Sequence, residues 1–288
     1  MNERDSLFGS SDTIESLTTW PVDSTVFLTL DLECDYGTAL RSKHYESASK
    51  TGALVEILED HSVPITCFLQ TEVLDESPGS VQNLEEAAVD VEFHAHSHTH
   101  PSRSEADVEF EVETSTARIA RRFDTNPIGY RFPDGAANSE DYFVLDGHDI
   151  PFNASLFPSC RPGRFYNRNA PIFPYRHTAS GVVELPFTVY SAHLRIPVAL
   201  SYAKLLGKPF QSLIQQRPPS TIVFDFHMHD LVATQAYEEL PRGYQLIYAR
   251  NRDSGMEIFE TLIEGLKRTG YRFSTINELY RETMEALQ

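Results

Sequence analysis

Cysteine is scarce in this 288-residue chain, and its three copies show no metal-binding pattern. Cys34, Cys67 and Cys160 are scattered along the chain without a CxxC pair. An odd number of cysteines argues for free thiols in a reducing compartment rather than for a disulfide framework. We therefore expect a cytoplasmic protein without a cysteine metal site.

Long apolar runs are absent as well. No stretch reaches the ~18 consecutive apolar residues that a membrane-spanning helix requires. The first 25 residues also lack the basic start and apolar segment of a signal peptide. At 41% hydrophobic residues, the chain can nevertheless bury a full core. We predict an N-terminal arm over residues 1–24, one large domain over residues 25–288, and no membrane span.

The chain has few basic residues: 24 lysines and arginines stand against 42 acidic residues, which gives a net charge of −18. Such a chain repels the phosphate backbone, which excludes a general nucleic-acid binder. Only five of the basic residues are lysine, against nineteen arginines. An acid-rich, lysine-poor surface suits a salt-rich cytoplasm, where screening weakens self-repulsion. A salt-loving host is therefore our hypothesis, and ordinary acidic drift is the alternative.

The sequence does contain a regular alternation of strand and helix patterns. Residues 26–33 alternate as a strand, with Asp31 and Glu33 on one face and leucines on the other. Further strand patterns occur at 64–70, 89–93 and 221–228, and apolar stripes at helical spacing occur at 54–58 and 258–266. Repeated βα units predict an α/β fold with a parallel sheet, either closed as a barrel or open and doubly wound. In both cases the functional site lies at the C-terminal strand ends.

A histidine-rich segment follows the third strand pattern. It contains His94, His96, His98 and His100, followed by Pro101. Neutral histidine is the commonest metal-binding side chain, and two histidines four residues apart can reach one ion from a turn. The alternative is an adventitious surface tract. Its position directly after a buried strand favours a specific metal site.

Two carboxylates lie on the inward face of the first strand pattern. Asp31 and Glu33 are two residues apart, so both project from the same side of the strand. Acidic residues at a strand end can be solvated termini, but buried carboxylates need partners or a metal. Their place on an apolar strand favours a functional role.

His227 and Arg131 complete the set of candidate residues. His227 ends an apolar strand pattern and shares a face with Asp225, which makes it an acid/base candidate rather than a core histidine. Arg131 precedes a proline-containing turn, where its guanidinium can clamp a carboxylate; the alternative is an exposed turn arginine.

These pieces occur in the order of the motifs of the polysaccharide deacetylase family (NodB-homology carbohydrate esterases), which the chain resembles over roughly residues 26–280. The family's H-[ST]-x-x-H-P motif is similar to His96-Ser-His-Thr-His100-Pro101. Its R-x-P turn is similar to Arg131-Phe-Pro133, which Asp134-Gly135 follow. Its late catalytic histidine is similar to His227.

Two motifs depart from the family pattern. The first motif resembles a D-x-[DE] variant of T-F-D-D-G, in which Asp31 takes the place of the base and Glu33 that of the metal ligand. Asp35 is the alternative ligand. The usual Asp-Trp motif is absent, and Glu184-Leu-Pro186 resembles an E-x-P form. The partner of the catalytic histidine therefore stays open, with Asp225 as a possible substitute.

The resemblance implies a distorted, TIM-like (β/α) barrel of seven strands and a catalytic domain that hydrolyses an amide C–N bond with a divalent metal. Zinc is the first choice of metal, with cobalt, manganese or nickel as alternatives. The implied ligands are Glu33, His96 and His100. The resemblance also implies substrate-binding roles for Pro133, Asp134 and Glu184.

In the implied mechanism, Asp31 takes a proton from the attacking water, Arg131 orients Asp31, and His227 protonates the leaving amine. The expected reaction is N-deacetylation of an amino sugar or glycoconjugate, by a protein that could form homo-oligomers. The alternatives are an allantoinase-like cyclic amide hydrolase and a catalytically inactive carbohydrate-binding homologue. Aromatic residues of the loops at 136–180 could stack on a sugar or simply pack: Phe143, Phe152, Phe157, Phe165 and Tyr166.

Overall fold

The structure is a computed structural model that describes residues 14–161 and 165–288. Its strands are Ile14–Ser16 (β1), Thr25–Leu32 (β2), Ile65–Leu69 (β3), Val91–Ala95 (β4), Gly129–Tyr130 (β5), Phe152–Asn153 (β6), Cys160–Arg161 (β7), Phe165–Tyr166 (β8), Tyr175–His177 (β9), Val183–Glu184 (β10), Thr221–His227 (β11) and Arg272–Ser274 (β12). Its α-helices are Thr51–Asp60 (α1), Val73–Glu76 (α2), Pro78–Glu85 (α3), Val108–Phe123 (α4), Asp141–Gly147 (α5), Leu200–Leu206 (α6), Lys208–Gln216 (α7), Met228–Leu231 (α8), Arg242–Ala249 (α9), Gly255–Arg268 (α10) and Ile276–Ala286 (α11).

Seven parallel strands form the centre of the main sheet, in the order β10-β6-β5-β4-β3-β2-β11. Strand β9 pairs antiparallel with β10, and β1 pairs antiparallel with β9. Strand β12 pairs with the first half of β2, and β7 and β8 form a separate hairpin. The α/β prediction is therefore confirmed, and β12, which pairs parallel with β2, is an eighth parallel strand beside this row of seven.

The two ends of this parallel row approach each other without a full ladder. Thr188, just beyond β10, donates its main-chain N–H to the carbonyl of Val223 on β11 (3.4 Å). Its hydroxyl donates to the carbonyl of Thr221 (3.1 Å). Among the residues that the structure describes, no continuous strand pairing joins β10 to β11. The sheet is consistent with a distorted barrel, and single bonds of this kind bring its two ends together.

Strand β2 shows how the alternation of the sequence positions the site. All eight of its residues are buried. Phe27 packs inside the barrel with Phe68 of β3 and Val223 of β11, and α11 covers that end. Leu28 and Leu30 face outward, into the core between the sheet and the helices. Because side chains alternate along a strand, the inward face that starts with Phe27 ends with Asp31 at the opposite end of the barrel.

The predicted N-terminal arm lies only partly within the described structure. Residues 1–13 are outside the described residues, and residues 14–16 form β1 at the edge of the sheet. No helix in the described part of the chain is long and apolar enough to traverse a lipid bilayer.

Candidate metal and catalytic site

A cleft opens at the C-terminal ends of the parallel strands, as the fold predicts. Asp31 and Glu33 come from the end of β2, His96 and His100 from the loop after β4, and Arg131 from the residue after β5. The empty volume of the cleft is about 850 Å³, including its open mouth. The sequence-predicted metal and catalytic residues, with His227 at the end of β11, all line it. Chain segments far apart in sequence thus meet at one place.

Three of these residues form a compact group of potential metal ligands. The Nε2 atoms of His96 and His100 lie 3.0 and 2.5 Å from the same Glu33 oxygen, Oε2. All three ligand atoms lie within 4.8 Å of one another, and all three side chains are buried. The Nδ1 atoms of His96 and His100 have no hydrogen-bond partner among the described residues. Two imidazoles and one carboxylate form a ligand set that suits a zinc-like ion.

Gly37 leaves room for this group. Its φ is +48°, and a Cβ atom at this position would lie 2.8 Å from the ring of His100 and 3.1 Å from Oε1 of Glu33. A larger residue would therefore push into the ligands from the side of the loop after β2. The residues present fit a metal centre that needs this space.

Glu33, rather than Asp35, is the carboxylate that joins the two histidines. Asp35 is also fully buried, but its Oδ1 accepts hydrogen bonds from the main chain of Ser47 (3.1 Å) and from the Ser47 hydroxyl. Asp35 is therefore directed into the neighbouring loop, which leaves Glu33 as the geometrically suited third ligand.

The loop that carries the two histidines has an unfavourable backbone conformation. Ser97 has a φ of +101° and His100 a φ of +56°, both in the region that non-glycine residues rarely adopt. The buried Glu111 of α4 fixes this loop, because its carboxylate accepts hydrogen bonds from the main-chain N–H groups of His98 (2.7 Å) and Thr99 (2.8 Å). It also accepts one from the Thr99 hydroxyl (2.5 Å).

Asp31 is held by Arg131 at the floor of the cleft. The Arg131 Nη1 atom lies 2.5 Å from Oδ1 of Asp31, and Nε donates to the carbonyl of Ala154 (2.8 Å). The guanidinium is sandwiched between aromatic rings, with its Cζ atom 3.9 Å from the ring centroid of Phe68 and 4.4 Å from that of Phe187. This fixed arrangement leaves the second oxygen of Asp31 directed at His96 and His227, at 4.0 and 3.8 Å.

His227 faces the same space from the opposite side. Its Nε2 atom lies 3.8 Å from Oδ2 of Asp31 and 3.8 Å from Oε1 of Glu33. Its other nitrogen, Nδ1, lies 3.1 Å from Oδ2 of Asp230. Burial lowers the pKa of His227, but the carboxylates of Asp225, Glu33 and Asp230 outweigh this effect and leave the pKa well above its usual value. The geometry therefore favours a protonated imidazole.

The predicted substitute partner of His227 needs a correction, because Asp230 rather than Asp225 contacts its imidazole. Asp225 instead lies 3.4 Å from Nη1 of Arg131. Burial raises the pKa of Asp225 to about 7, against the opposing charge of His227. Asp230 was missed because it lies outside the strand that carries His227. Its oxygen also accepts from the main-chain N–H of His227 (3.3 Å), so it caps α8 as well as holding the ring.

The three residues predicted to bind substrate have different positions. Asp134 lines the cleft and accepts a hydrogen bond from the Thr38 hydroxyl (2.5 Å). Pro133 lines a smaller cavity on the other side of the turn, together with Tyr130, and does not line the cleft. A direct substrate contact by Pro133 is therefore not supported.

A direct substrate contact by Glu184 is likewise not supported. Glu184 is fully buried beneath the cleft. Its oxygens accept hydrogen bonds from the Tyr142 hydroxyl (2.8 Å), the Asn153 amide (2.6 Å) and the main-chain N–H groups of Ser155 (2.9 Å) and Leu156 (2.7 Å). Four donors saturate the carboxylate, so Glu184 holds the segment after β6 and is not available to a substrate.

The remaining histidines of the tract support the structure. The Nε2 atom of His94 lies 3.0 Å from the side-chain oxygen of Asn277. Burial lowers the pKa of His94 to about 3. It therefore stays neutral. His98 is directed away from the ligands, with Nδ1 3.0 Å from the Thr71 hydroxyl. The specific site thus uses only two of the four histidines.

Of the aromatic residues predicted in the middle loops, only Phe157 lines the cleft within the described side chains. Phe152 packs in the barrel core, whereas Phe143 and Tyr166 are exposed. The side chain of Phe165 lies outside the described part of the structure. The cleft instead has lining residues that the sequence analysis missed: Tyr36, Arg161, Tyr202, His229, Tyr244 and Tyr248.

Comparison with known proteins supports the reading of these motifs. Residues 22–148 match the model of the polysaccharide deacetylase family. The resemblance that the motifs indicate is therefore confirmed, and the match includes Asp31, Glu33, His96, His100 and Arg131. No curated protein sequence matches this chain.

Several solved structures of proteins described as deacetylases or carbohydrate esterases have a fold similar to that of this chain. A protein from Mycobacterium smegmatis that is described as a polysaccharide deacetylase aligns with a TM-score of 0.59 and 16% identity, over 95% of this chain and 96% of its own. The peptidoglycan deacetylase PdaC from Bacillus subtilis aligns with a TM-score of 0.51 and 12% identity, over 92% and 94%. A family 4 carbohydrate esterase pseudoenzyme from Bacillus anthracis aligns with a TM-score of 0.53 and 15% identity, over 90% of this chain and 66% of its own. At these identities the likeness shows the fold alone.

Proposed function

We propose that this protein hydrolyses the amide C–N bond of an N-acylated amino sugar and that it requires a divalent metal. The observation that carries the proposal is the convergence of Glu33, His96 and His100 with the Asp31–Arg131 pair and with His227 in one cleft. The match of residues 22–148 to polysaccharide deacetylases supports the same chemistry.

Glu33, His96 and His100 would hold the metal. A divalent ion bound there would lower the pKa of a water molecule and polarise the acyl carbonyl group. Zinc fits two imidazoles and one carboxylate, and cobalt, manganese or nickel are the alternatives. Coordination would need an unprotonated nitrogen on each histidine, and the Nε2 atoms of both lie beside the same Glu33 oxygen.

Asp31 is the base of the proposed reaction. Arg131 occupies one of its oxygens at 2.5 Å, and the second oxygen faces the space between His96 and His227. From there it can take the proton of a water molecule that attacks the acyl carbon. Arg131 fixes the direction of Asp31, since its guanidinium is itself held by the carbonyl of Ala154.

His227 is the acid of the proposed reaction. When the C–N bond breaks, the amine nitrogen must receive a proton, because an amide anion is a very poor leaving group. His227 faces the cleft through Nε2 and is held in its protonated form by neighbouring carboxylates. The products are a free amine and a carboxylate, which is acetate when the acyl group is acetyl.

The experiment that tests this proposal measures acetate release from N-acetylated amino sugars, with and without a chelator. Release that the chelator abolishes and added zinc or cobalt restores is the expected result. His227→Ala should remove turnover yet keep one metal per chain, whereas His96→Ala should lose both. Failure of metal-replete protein to release acetate from any amino sugar would refute the proposal.

Two other functions remain as outcomes of that test. Turnover of a cyclic amide would indicate an allantoinase-like hydrolase. Binding of sugars without turnover would indicate an inactive carbohydrate-binding homologue, and the Bacillus anthracis protein of similar fold is described as a pseudoenzyme. The intact Asp31, Arg131 and His227 constellation argues for an active enzyme.

We also infer from composition that the protein works in a salt-rich cytoplasm. The net charge of −18 and the shortage of lysine support this part of the proposal. Unfolding measured as a function of salt concentration tests it. A protein that is equally stable and monodisperse in low and in molar salt would remove the basis for this inference, and the same samples would show whether it forms homo-oligomers.

A further inference from the structure

We propose that the substrate carries an anionic group, a carboxylate or a phosphate, which Arg161 binds at the outer part of the cleft. This inference rests on the proposed function and specifies its substrate class as acidic N-acylated amino sugars. It starts from a division of the cleft into two parts. We call the metal and catalytic residues the deep part, and we call the four tyrosines and the arginine that also line the cleft the outer part: Tyr36, Tyr202, Tyr244, Tyr248 and Arg161.

The outer part comes from elements that do not contribute catalytic residues. Tyr202 is on α6, Tyr244 and Tyr248 are on α9, and Arg161 is on the β7–β8 hairpin. Tyr36 packs against Tyr248, with ring centroids 5.0 Å apart, and against His229, at 4.7 Å. His229 in turn stacks on His227 at 4.8 Å. The aromatic wall is therefore continuous with the catalytic histidine.

Such a wall is suited to a sugar ring. Tyrosine offers an apolar face against which the C–H face of a sugar can pack, together with a hydroxyl that can donate or accept a hydrogen bond. A ring that lies on this wall has its acylamino group directed into the deep part of the cleft. Substituents on its opposite side are then directed outward, toward Arg161.

Arg161 is positively charged and close to this wall. Its Cζ atom lies 6.0 Å from the ring centroid of Tyr244. Burial raises the pKa of both Tyr202 and Tyr248, and the positive charge of Arg161 opposes both shifts. Arg161 is only partly exposed, and it lines the cleft beside Tyr244.

The other charged groups of the cleft already have partners. Arg131 contacts Asp31 and Asp225, Glu33 contacts two histidines, and His227 contacts Asp230. Among the described residues, no carboxylate lies within 4.0 Å of the Arg161 guanidinium. Of the two arginines that line the cleft within the described residues, Arg161 is therefore the one that can offer its planar set of donors to a ligand.

An anion is the ligand that this arrangement suits. A guanidinium forms paired, charge-assisted hydrogen bonds with carboxylate or phosphate oxygens. The net charge of −18 opposes the approach of an anion from a distance. Recognition must therefore come from a cation inside the cleft, where the ligand is already desolvated and salt screening is weak.

The test compares acidic and neutral substrates of the same size. The probes are N-acetylglucosamine 1-phosphate, N-acetylmuramic acid and, as the neutral reference, the methyl glycoside of N-acetylglucosamine. We expect kcat/KM to be at least tenfold higher for one of the acidic probes. The phosphate and carboxylate probes then distinguish the two sources of negative charge.

Variants of Arg161 assign that preference to its side chain. Arg161→Gln should lower kcat/KM for the preferred acidic probe roughly tenfold to hundredfold, which is the loss expected for charge-assisted hydrogen bonds. The same variant should change kcat/KM for the neutral probe by no more than about twofold. The kcat/KM of Arg161→Lys for the acidic probe should lie between the values of the wild type and of Arg161→Gln, because lysine keeps the charge but loses the planar geometry. Arg121→Gln, which removes the same charge from the exposed end of α4, should match the wild type.

Two results would overturn the inference. One is a wild-type enzyme that prefers the neutral probe, and the other is an Arg161→Gln variant that loses activity equally on acidic and neutral probes. If no probe is turned over, calorimetric binding of the same three sugars to wild type and Arg161→Gln decides the matter. Selective, Arg161-dependent binding of the acidic sugars would then support this inference while the proposed hydrolase function failed, and equal binding would refute it.

Discussion

The Nδ1 atom of His227 lies 3.1 Å from the carboxylate of Asp230, which belongs to the short helix that begins immediately after β11. The main-chain carbonyl of Asp230 accepts a hydrogen bond from the buried Lys204 (2.5 Å), so α6 fixes this helix from behind. One carboxylate therefore caps a helix and orients the imidazole. This leaves Nε2 of His227 directed at Asp31 and Glu33.

We predict that Asp230→Asn shifts the pH profile of the enzyme. The negative charge of Asp230 stabilises the protonated form of His227 and contributes to its raised pKa. Removing that charge lowers the pKa of His227, so the protonated acid is lost at a lower pH. The alkaline limb of kcat/KM should therefore move to lower pH by roughly one unit, and kcat should fall about tenfold to hundredfold.

The control for this variant is Asp253→Asn, which removes a carboxylate that is 80% exposed and lies outside the cleft. It should leave the alkaline limb in place. An Asp230→Asn enzyme with an unchanged alkaline limb would show that Asp230 does not set the protonation of the catalytic acid.

We predict that Glu33, and not Asp35, determines the metal content. Glu33→Gln removes a negatively charged ligand between two histidines, so the purified protein should bind well below one metal per chain. Asp35→Asn should keep full metal stoichiometry, because Asp35 is bonded to Ser47. It is expected to lose stability instead, by about 1–3 kcal/mol, since the amide nitrogen would bury two N–H donors where Oδ2 of Asp35 has no hydrogen-bond partner among the described residues. Elemental analysis together with thermal unfolding separates the two effects, and the reverse pattern would assign the third ligand to Asp35.

The sequence was sufficient to predict the deep part of the cleft but not its outer part. Asp31 and Glu33 follow from the two-residue period of a strand, and His96 and His100 follow from a distinctive local motif. Arg161, Tyr202 and Tyr248 are single residues on a hairpin and two helices without a motif. They reach the cleft only through tertiary packing, which periodicity does not encode.

Tertiary packing also explains why the sequence did not reveal the roles of Glu184 and Asp230. Glu184 stands beside a proline at a strand end, as a ligand-binding residue would, but four hydrogen-bond donors from separate segments surround it. Asp230 was missed for the opposite reason, since it lies three positions beyond His227 and only the turn of α8 brings the two side chains together. In both cases the role of a carboxylate depends on which donors surround it, and those come from other parts of the chain.

We predict that Glu111→Ala weakens metal binding although Glu111 does not line the cleft. Its carboxylate accepts three hydrogen bonds from His98 and Thr99, within a loop whose Ser97 and His100 have positive φ values. Without that support the loop can relax, and the two histidines lose their fixed direction. Groups that orient metal ligands in this way typically contribute about tenfold to hundredfold in metal affinity.

Glu113→Ala is the matched control, since Glu113 is exposed on the same helix. Metal dissociation constants should be measured by competition with a chromophoric chelator, at a temperature where both variants are folded. If Glu111→Ala lowers the melting temperature but leaves metal affinity equal to that of Glu113→Ala, Glu111 only stabilises the fold.

We predict that Gly37→Ala weakens metal binding through direct crowding. A Cβ atom there would lie 2.8 Å from the His100 ring, which is closer than non-bonded carbon atoms normally approach. His100 is fully buried against Glu33 and cannot move away without leaving the ligand group. Metal affinity should therefore fall by on the order of tenfold or more, with a parallel loss of kcat at limiting metal.

Backbone strain must be separated from this crowding, because Gly37 has a φ of +48° that alanine adopts only at a cost of about 1–2 kcal/mol. Gly181 provides the matched control, since its φ is +81° and no atom lies within 4 Å of a Cβ built there. Both variants should therefore lose a similar amount of stability in urea unfolding of the metal-free protein. Only Gly37→Ala should bind the metal more weakly, and equal metal affinities in the two variants would show that the space beside His100 is not needed by the ion.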